Sequence, residues 1–273
     1  MLRLLRSFLL TNTRMLLQGL LLCCASTGAY AQQSYGQDIF GDDAYAQDTS
    51  AQNSQSDTYV TAGSVYSLVT NELLYREVFT GLDENKAVRV DYISPGGNLF
   101  ASKTLVFQGE PFQPTVDFHD QRDNEFVSAQ FQGARLVLTQ GMNNSREERI
   151  IYDNARVVID AGLDAYVQLN WDKLLAGKTV KFDYIAPASL RVSQLEVRKI
   201  KSTSSPLYNA DFGRNWIYFQ IKSAKKLSAF FTGSINLAYD PNGKYLMRYH
   251  GRANIDDDRG GPWDVRIEYE YLN

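Results

Sequence analysis

The chain has 273 residues, 28 basic and 31 acidic, with a formal net charge of −3, and 44% of its residues are hydrophobic. An acidic balance argues against nucleic acid as a partner, since neutralising phosphates calls for an excess of Lys and Arg. Cys23 and Cys24 are the only cysteines and fall together near the N-terminus, so a chain that loses that segment must rely on a core rather than on disulfides.

Arg3, Arg6 and Arg14 precede the apolar run 15–24, and Ala29-Tyr30-Ala31 supplies small residues where a signal peptidase reads them. Residues 1–31 are therefore expected to be a signal peptide, which places the protein in the periplasm or outside the cell. Its removal would leave 25 basic residues against 31 acidic ones, a net charge of about −6. The run is well short of the ~20 apolar residues that a bilayer requires, so no transmembrane span is expected in the mature chain. Lipidation at Cys23 or Cys24 needs a small residue before the cysteine, where the sequence has Leu22 or Cys23. Residues 32–58 contain no Lys or Arg and few apolar side chains, and read as a disordered spacer. Residues 59–273 then form a single β-rich domain.

Within that domain, residues 73–79 and the alternating Val88, Val90 and Tyr92 read as strands on either side of the turn 81–85. After Ser94-Pro95-Gly96-Gly97-Asn98 the alternation resumes with Leu99, Ala101, Lys103, Leu105 and Phe107, which makes a three-stranded meander. Short strands are expected at 115–119, 126–131, 136–138 and 150–159, with Arg146 to Arg149 ahead of the last. Residues 160–177 are the one convincing helix. Leu163, Tyr166, Val167, Trp171, Leu174 and Leu175 gather on one side of a 3.6-residue period, Asp160 is placed to cap the start, and Gly177 to end it. Beyond it, 179–185 alternates cleanly. Residues 190–200 alternate imperfectly, as they would across a bulge between Val192 and Leu195. Residues 216–221 are apolar on both faces, which suits a strand packed on both sides or facing a cavity. Asp240-Pro241-Asn242-Gly243 joins two more strands, and 265–271 closes the chain in an alternating strand.

Phe118-His119-Asp120-Gln121-Arg122, Asp160-Ala161-Gly162-Leu163-Asp164 with Trp171, Gly177 and Phe182, Tyr249-His250-Gly251-Arg252-Ala253-Asn254-Ile255 and Val265-Arg266-Ile267 together resemble a family of uncharacterised exported proteins of Gram-negative bacteria. The resemblance implies an envelope location and a β fold, and it carries no activity, substrate or catalytic residue. At His119 the chain departs from the family pattern, where an acidic residue is commoner.

No nucleophile-elbow or zinc-protease motif is present. His119, with Asp117, Asp120 and Asp123 nearby, and His250 are the only histidines from which a hydrolase would be built. His119 reads instead as part of a solvated turn, and His250 as a structural hydrogen-bonding residue beside a bulge at Gly251. Asp256-Asp257-Asp258-Arg259-Gly260-Gly261 lacks calcium-ligand spacing, so no metal and no cofactor is called for. The aromatic surplus is the main functional hint, because tyrosines offer hydroxyls at a cavity wall. Tyr166, Trp171, Phe182, Tyr184 and Trp216, with Asn170 on the helix's apolar side, are the expected ligand-binding residues.

The expected architecture is a mainly β fold, a curved antiparallel sheet or open barrel or sandwich of about ten strands with one amphipathic helix on its concave face. A helix that only covers one mouth leaves an interior for an apolar, lipid-like ligand. A helix that fills the interior makes a structural or protein-interaction module of the envelope.

Overall fold

Among the described residues, extended segments rich in β-branched and aromatic side chains form fifteen strands, hydrogen-bonded into one sheet. The computed structural model describes residues 58–82, 87–143, 145–151, 157–210, 215–224, 233–257 and 260–271. The expected signal peptide with Cys23 and Cys24, the spacer to residue 57 and most of the 81–85 turn lie outside the described residues.

β1 (Thr58–Ser67) is the centre of the sheet, between β2 (Leu73–Leu82) and β15 (Pro262–Tyr271). From β2 the chain meanders outward through β3 (Ala87–Ile93), β4 (Leu99–Val106), β5 (Thr115–Asp120), β6 (Glu125–Gln132) and β7 (Arg135–Met142) to the edge strand β8 (Ser145–Ile151). The second half runs inward from the other edge: β9 (Val157–Ile159), β10 (Val180–Ala186), β11 (Arg191–Ile200), β12 (Ile217–Ser223), β13 (Ile235–Asp240), β14 (Tyr245–Asp256) and β15. All neighbours are antiparallel except β9 and β10, whose parallel pairing needs a crossover. That crossover is the helical segment, α1 (Gly162–Leu169) and α2 (Trp171–Leu175).

The sheet curls until its two ends face each other. One core cluster joins Val116, Phe118, Val127, Leu136 and Leu138 from the first half to Val157, Ile159, Ile185 and Leu190 from the second. The Ile159 amide donates to the Phe112 carbonyl at 3.0 Å, across the two halves, while β8 and β9 remain the sheet's edges. β8 is exposed along almost its whole length, and Arg146, Glu147, Glu148 and Arg149 are the charges that discourage another chain from pairing there. A second cluster places Leu163, Val167, Trp171 and Leu174 against Phe182, Leu195, Val197, Phe219, Ile221, Leu237 and Tyr239, so the helices pack on β10 to β13. Burial of each large side chain there contributes about 1.5–3 kcal/mol.

Several expectations are corrected. Among the described residues the sheet has fifteen strands, not about ten, and β1 has no counterpart among the expected elements. The helix is two short ones that meet at Asn170. Ala161 precedes the first of them without a side-chain cap, because Asp160 is turned into the left-handed region at φ 43°. Gly177 does take the left-handed conformation, at φ 78°. Residues 150–159 divide between β8 and β9, on opposite edges of the sheet. The pairing of β11 with β10 is continuous through Val192 and Leu195, so there is no bulge; alternation fails because Val192 is simply exposed. Strand β12 is apolar on both faces because it is packed on both: Phe219 and Ile221 face the helices, while Tyr218 packs on the other side with Leu207 and Ala238.

Candidate functional site

Two charged residues occupy inward positions in the first meander. On β2 the inward series is Tyr75, Glu77 and Phe79, and on β4 it is Ala101, Lys103 and Leu105; Glu77 is 7% exposed and Lys103 4%. Pairing registers place Tyr269, Gly63, Glu77, Tyr92 and Ala101 in one row across the sheet, and Tyr271, Thr61, Phe79, Val90 and Lys103 in the next. Gly63 is the gap in the first row. A Cβ there would lie 3.0 Å from Tyr269 Cε1, so the missing side chain lets the Tyr269 ring lean over β1, where its hydroxyl donates to Glu77 Oε2 at 3.5 Å.

The facing wall is the corner between β9 and α1. Asp160 tolerates its left-handed backbone better than most residues. Its amide donates to Ile185 O at 3.0 Å, and its carbonyl accepts from Leu163 at 3.1 Å. Gly162 follows because a Cβ there would collide with the Phe112 carbonyl. The corner sends the Asp160 carboxylate inward, where Lys103 Nζ donates to it at 2.8 Å and Asn254 Nδ2 at 3.4 Å. Both members of the ion pair are buried, so loss of either would strand the other in a dry interior. Asp164, one turn on, accepts from the Tyr239 hydroxyl at 2.7 Å and from Gln168 at 3.0 Å. Burial pushes its carboxyl up against those two bonds.

Glu77 is the least satisfied of these groups. Burial above all pushes it up to about 7, with Lys103 pulling the other way and Asp160 adding to the rise. Burial likewise raises the phenols of Tyr92, Tyr184, Tyr239, Tyr269 and Tyr271, which stay neutral at physiological pH.

These groups surround empty space. A compartment of about 130 Å³ is lined by Glu77, Phe79, Tyr92, Tyr269 and Tyr271 from these two rows, together with Asp164 and Tyr239. A second, of about 330 Å³, lies toward β5 and β6, lined by Val116, Phe118, Val127 and the turn Pro187–Ser189. Lys103, Asp160, Tyr184, Tyr249, Arg252 and Asn254 line both compartments. The larger one reaches the end of the barrel at Glu125 and Asp256. Partial burial, then Asp123, Asp256 and Asp120, pushes Glu125 up to about 7. Burial and Asp257 raise Asp256.

Of the residues expected to bind a ligand, Tyr184 lines the cavity and the others lie elsewhere. Trp171 sits edge-on to Phe219 and Tyr239, with ring centroids 5.3 and 5.6 Å away, inside the packed cluster. Phe182 and Tyr166 pack on each other at 4.8 Å. Trp216 belongs to the outer face, under the Arg248 guanidinium at 5.4 Å. Asn170 is satisfied locally, its amide donating to Tyr166 O at 3.0 Å and its oxygen accepting from Lys173 at 3.1 Å. His119 lies in strand β5, on its exposed face, rather than in a turn. His250 pairs regularly with Arg266, so Gly251 makes no bulge, and among the described residues the buried Nδ1 of His250 has no hydrogen-bond partner. Neither histidine lines either compartment. Asp120, also missed as a structural residue, holds Arg122 bidentately, and the guanidinium stacks on Phe100 at 4.6 Å.

Among the described residues no helix is long and apolar enough to cross a membrane, which leaves strands out of account. The chain matches no protein-family model and no curated protein sequence. Among solved structures it is similar to a β-barrel-like protein of domain of unknown function DUF1849 from Brucella abortus. The identity is 9% and the TM-score 0.40, over 80% of this chain and 100% of that one.

Proposed function

We propose that the protein is a non-enzymatic binding or carrier module of the cell envelope whose barrel interior takes a small amphipathic molecule. What carries this reading is the pair of adjoining compartments, of about 130 and 330 Å³, bounded by apolar and tyrosine side chains with a few convergent charged groups. Small-molecule sites are of this kind, and such volumes begin at about 300 Å³. The wall is less apolar than a purely lipid-like ligand requires, since Glu77, Lys103 and Asp160 face inward together. An apolar body with one polar end satisfies both halves of the lining. The export signal read at residues 1–31 supports an envelope location.

Protein purified from its native host should release a bound amphipathic molecule on organic extraction, near one per chain by mass spectrometry. An empty extract, together with failure of the refolded protein to take up any amphiphile, overturns the reading. Fractionation of the same cells, with N-terminal sequencing of the purified chain, tests the location; a chain found in the cytoplasm with residues 1–31 intact removes it.

A further inference from the structure

The lining of the smaller compartment is specific about charge. Its other acidic and basic side chains already have partners: Lys103 and Asp160 pair with each other at 2.8 Å, Arg252 with Asp264 at 2.7 Å, and Asp164 with Tyr239 at 2.7 Å and Gln168 at 3.0 Å. Among the described residues, the hydrogen bond that Glu77, 7% exposed, accepts is the long one from the Tyr269 hydroxyl at 3.5 Å. A carboxylate so buried requires a counter-charge or a proton. Of the rings in the same lining, Tyr92, Tyr249 and Tyr269 lie within electrostatic reach of Glu77, and their neutral rings offer negative faces to a cation. The approach has the same sign. Where the larger compartment meets the end of the barrel it is lined by Glu125 and Asp256, whose carboxyls are raised in part by the other acids around them. A mouth of that kind draws cations in and turns anions away.

Building on the binding reading above, we infer that the polar end of the ligand is an organic ammonium, seated against the Glu77 carboxylate with the tyrosine rings around it. A neutral head leaves Glu77 protonated and gains no charge contact there, and an anionic head opposes ionisation of Glu77 and of the acids at the mouth. The ammonium supplies the missing counter-charge and draws the Glu77 proton off to solvent as it binds.

The test uses three amphiphiles with the same apolar body, titrated calorimetrically into the full chain below their micellar concentrations: octyltrimethylammonium, octyl sulfate and octyl glucoside. The ammonium should bind about tenfold more tightly than either of the others, the size of effect expected for one well-placed charge contact. Glu77→Gln, which keeps the shape, should abolish the preference, so that within the variant the ammonium binds no more tightly than octyl glucoside. Glu77→Asp, which keeps the charge, should retain a cation preference even if all three affinities fall. Octyl sulfate or octyl glucoside binding as tightly as the ammonium overturns this inference and leaves the binding reading standing. An ammonium preference that survives in Glu77→Gln overturns it too, by placing the cation elsewhere. Binding of none of the three overturns the binding reading and this inference with it.

Discussion

The two halves of the sheet enclose very different interiors. Strands β10 to β13 have a filler: the crossover helices press Leu163, Val167, Trp171 and Leu174 into them, and the result is dry and close-packed. Strands β1 to β4 have none. Consecutive antiparallel strands need only short turns, so this half brings no helix with it, and the space facing it is closed by an ion pair, a near-neutral Glu77 and empty volume. Because a parallel pair must be joined by a crossover, one parallel step at the sheet's edge decides which half is filled and which is left able to receive a ligand.

The largest expected effects test that contrast directly. Lys103→Met leaves Asp160 buried without its cation and should cost about 3–5 kcal/mol in urea denaturation. Adding Asp160→Asn, which tolerates the same left-handed backbone and removes the stranded charge, should recover most of that. Trp171→Ala in the packed half should cost a similar amount, about 3–5 kcal/mol, as a cavity penalty that no second charge change relieves. A Lys103→Met variant as stable as the parent would mean that the ion pair does not hold the open half together.

A smaller effect separates the halves by pH. Glu77 titrates near 7 in the fold against an ordinary value of 4.5, so between those two pH values the folded protein holds a proton that the unfolded chain has released. Stability therefore falls as pH rises through that window, by up to about 3 kcal/mol, and the loss is complete above it. Lys103 on β4, Asp160 at the helix corner, Tyr75 on β2, Tyr92 on β3, Tyr249 on β14 and Tyr269 on β15 are the titratable groups that interact with Glu77. Glu77→Gln removes the titration. It should match the parent at pH 4 and exceed it at pH 8, and the difference between the two denaturation curves isolates Glu77 from Glu125, which titrates in the same range but half-exposed. Equal stability of the two proteins across that range would show that Glu77 is hydrated in the fold.

Much of the packed half could be read in the sequence, since it depends on local periodicity. Trp171 and Leu174 on one helical face, the alternation of β10 and the Asp240-Pro241-Asn242-Gly243 turn each declare themselves within a few residues. The open half was harder. β1 gives little signal because Thr61 and Gly63, small or polar, stand inward beside Val65. Lys103 does carry a signal, since it interrupts the run Leu99, Ala101, Leu105 and Phe107 at an inward position, but its partner Asp160 is 57 residues away and reaches it only through the curl of the whole sheet. Trp216, just ahead of β12, packs against the outer cluster of Leu207, Tyr218 and Ala238, a placement that local apolarity on both faces could not distinguish from an inward one.

Gly63→Ala is the mildest change and the most local to the seam between the halves. The new Cβ would meet Tyr269 Cε1 at 3.0 Å and Ile267 Cγ2 at 3.1 Å, closer than side chains normally approach. The Tyr269 ring must give way, which should cost about 1–2 kcal/mol and carry its hydroxyl away from Glu77. Gly96→Ala, whose Cβ would meet nothing nearer than 3.7 Å, should change stability by less than about 0.5 kcal/mol and serves as the control. Pairing Gly63→Ala with Tyr269→Leu removes the ring that must move, so the two changes should cost less together than the sum of each alone. Strict additivity would mean that Tyr269 does not cross β1, and that burial raises Glu77 without an opposing hydrogen bond from that hydroxyl.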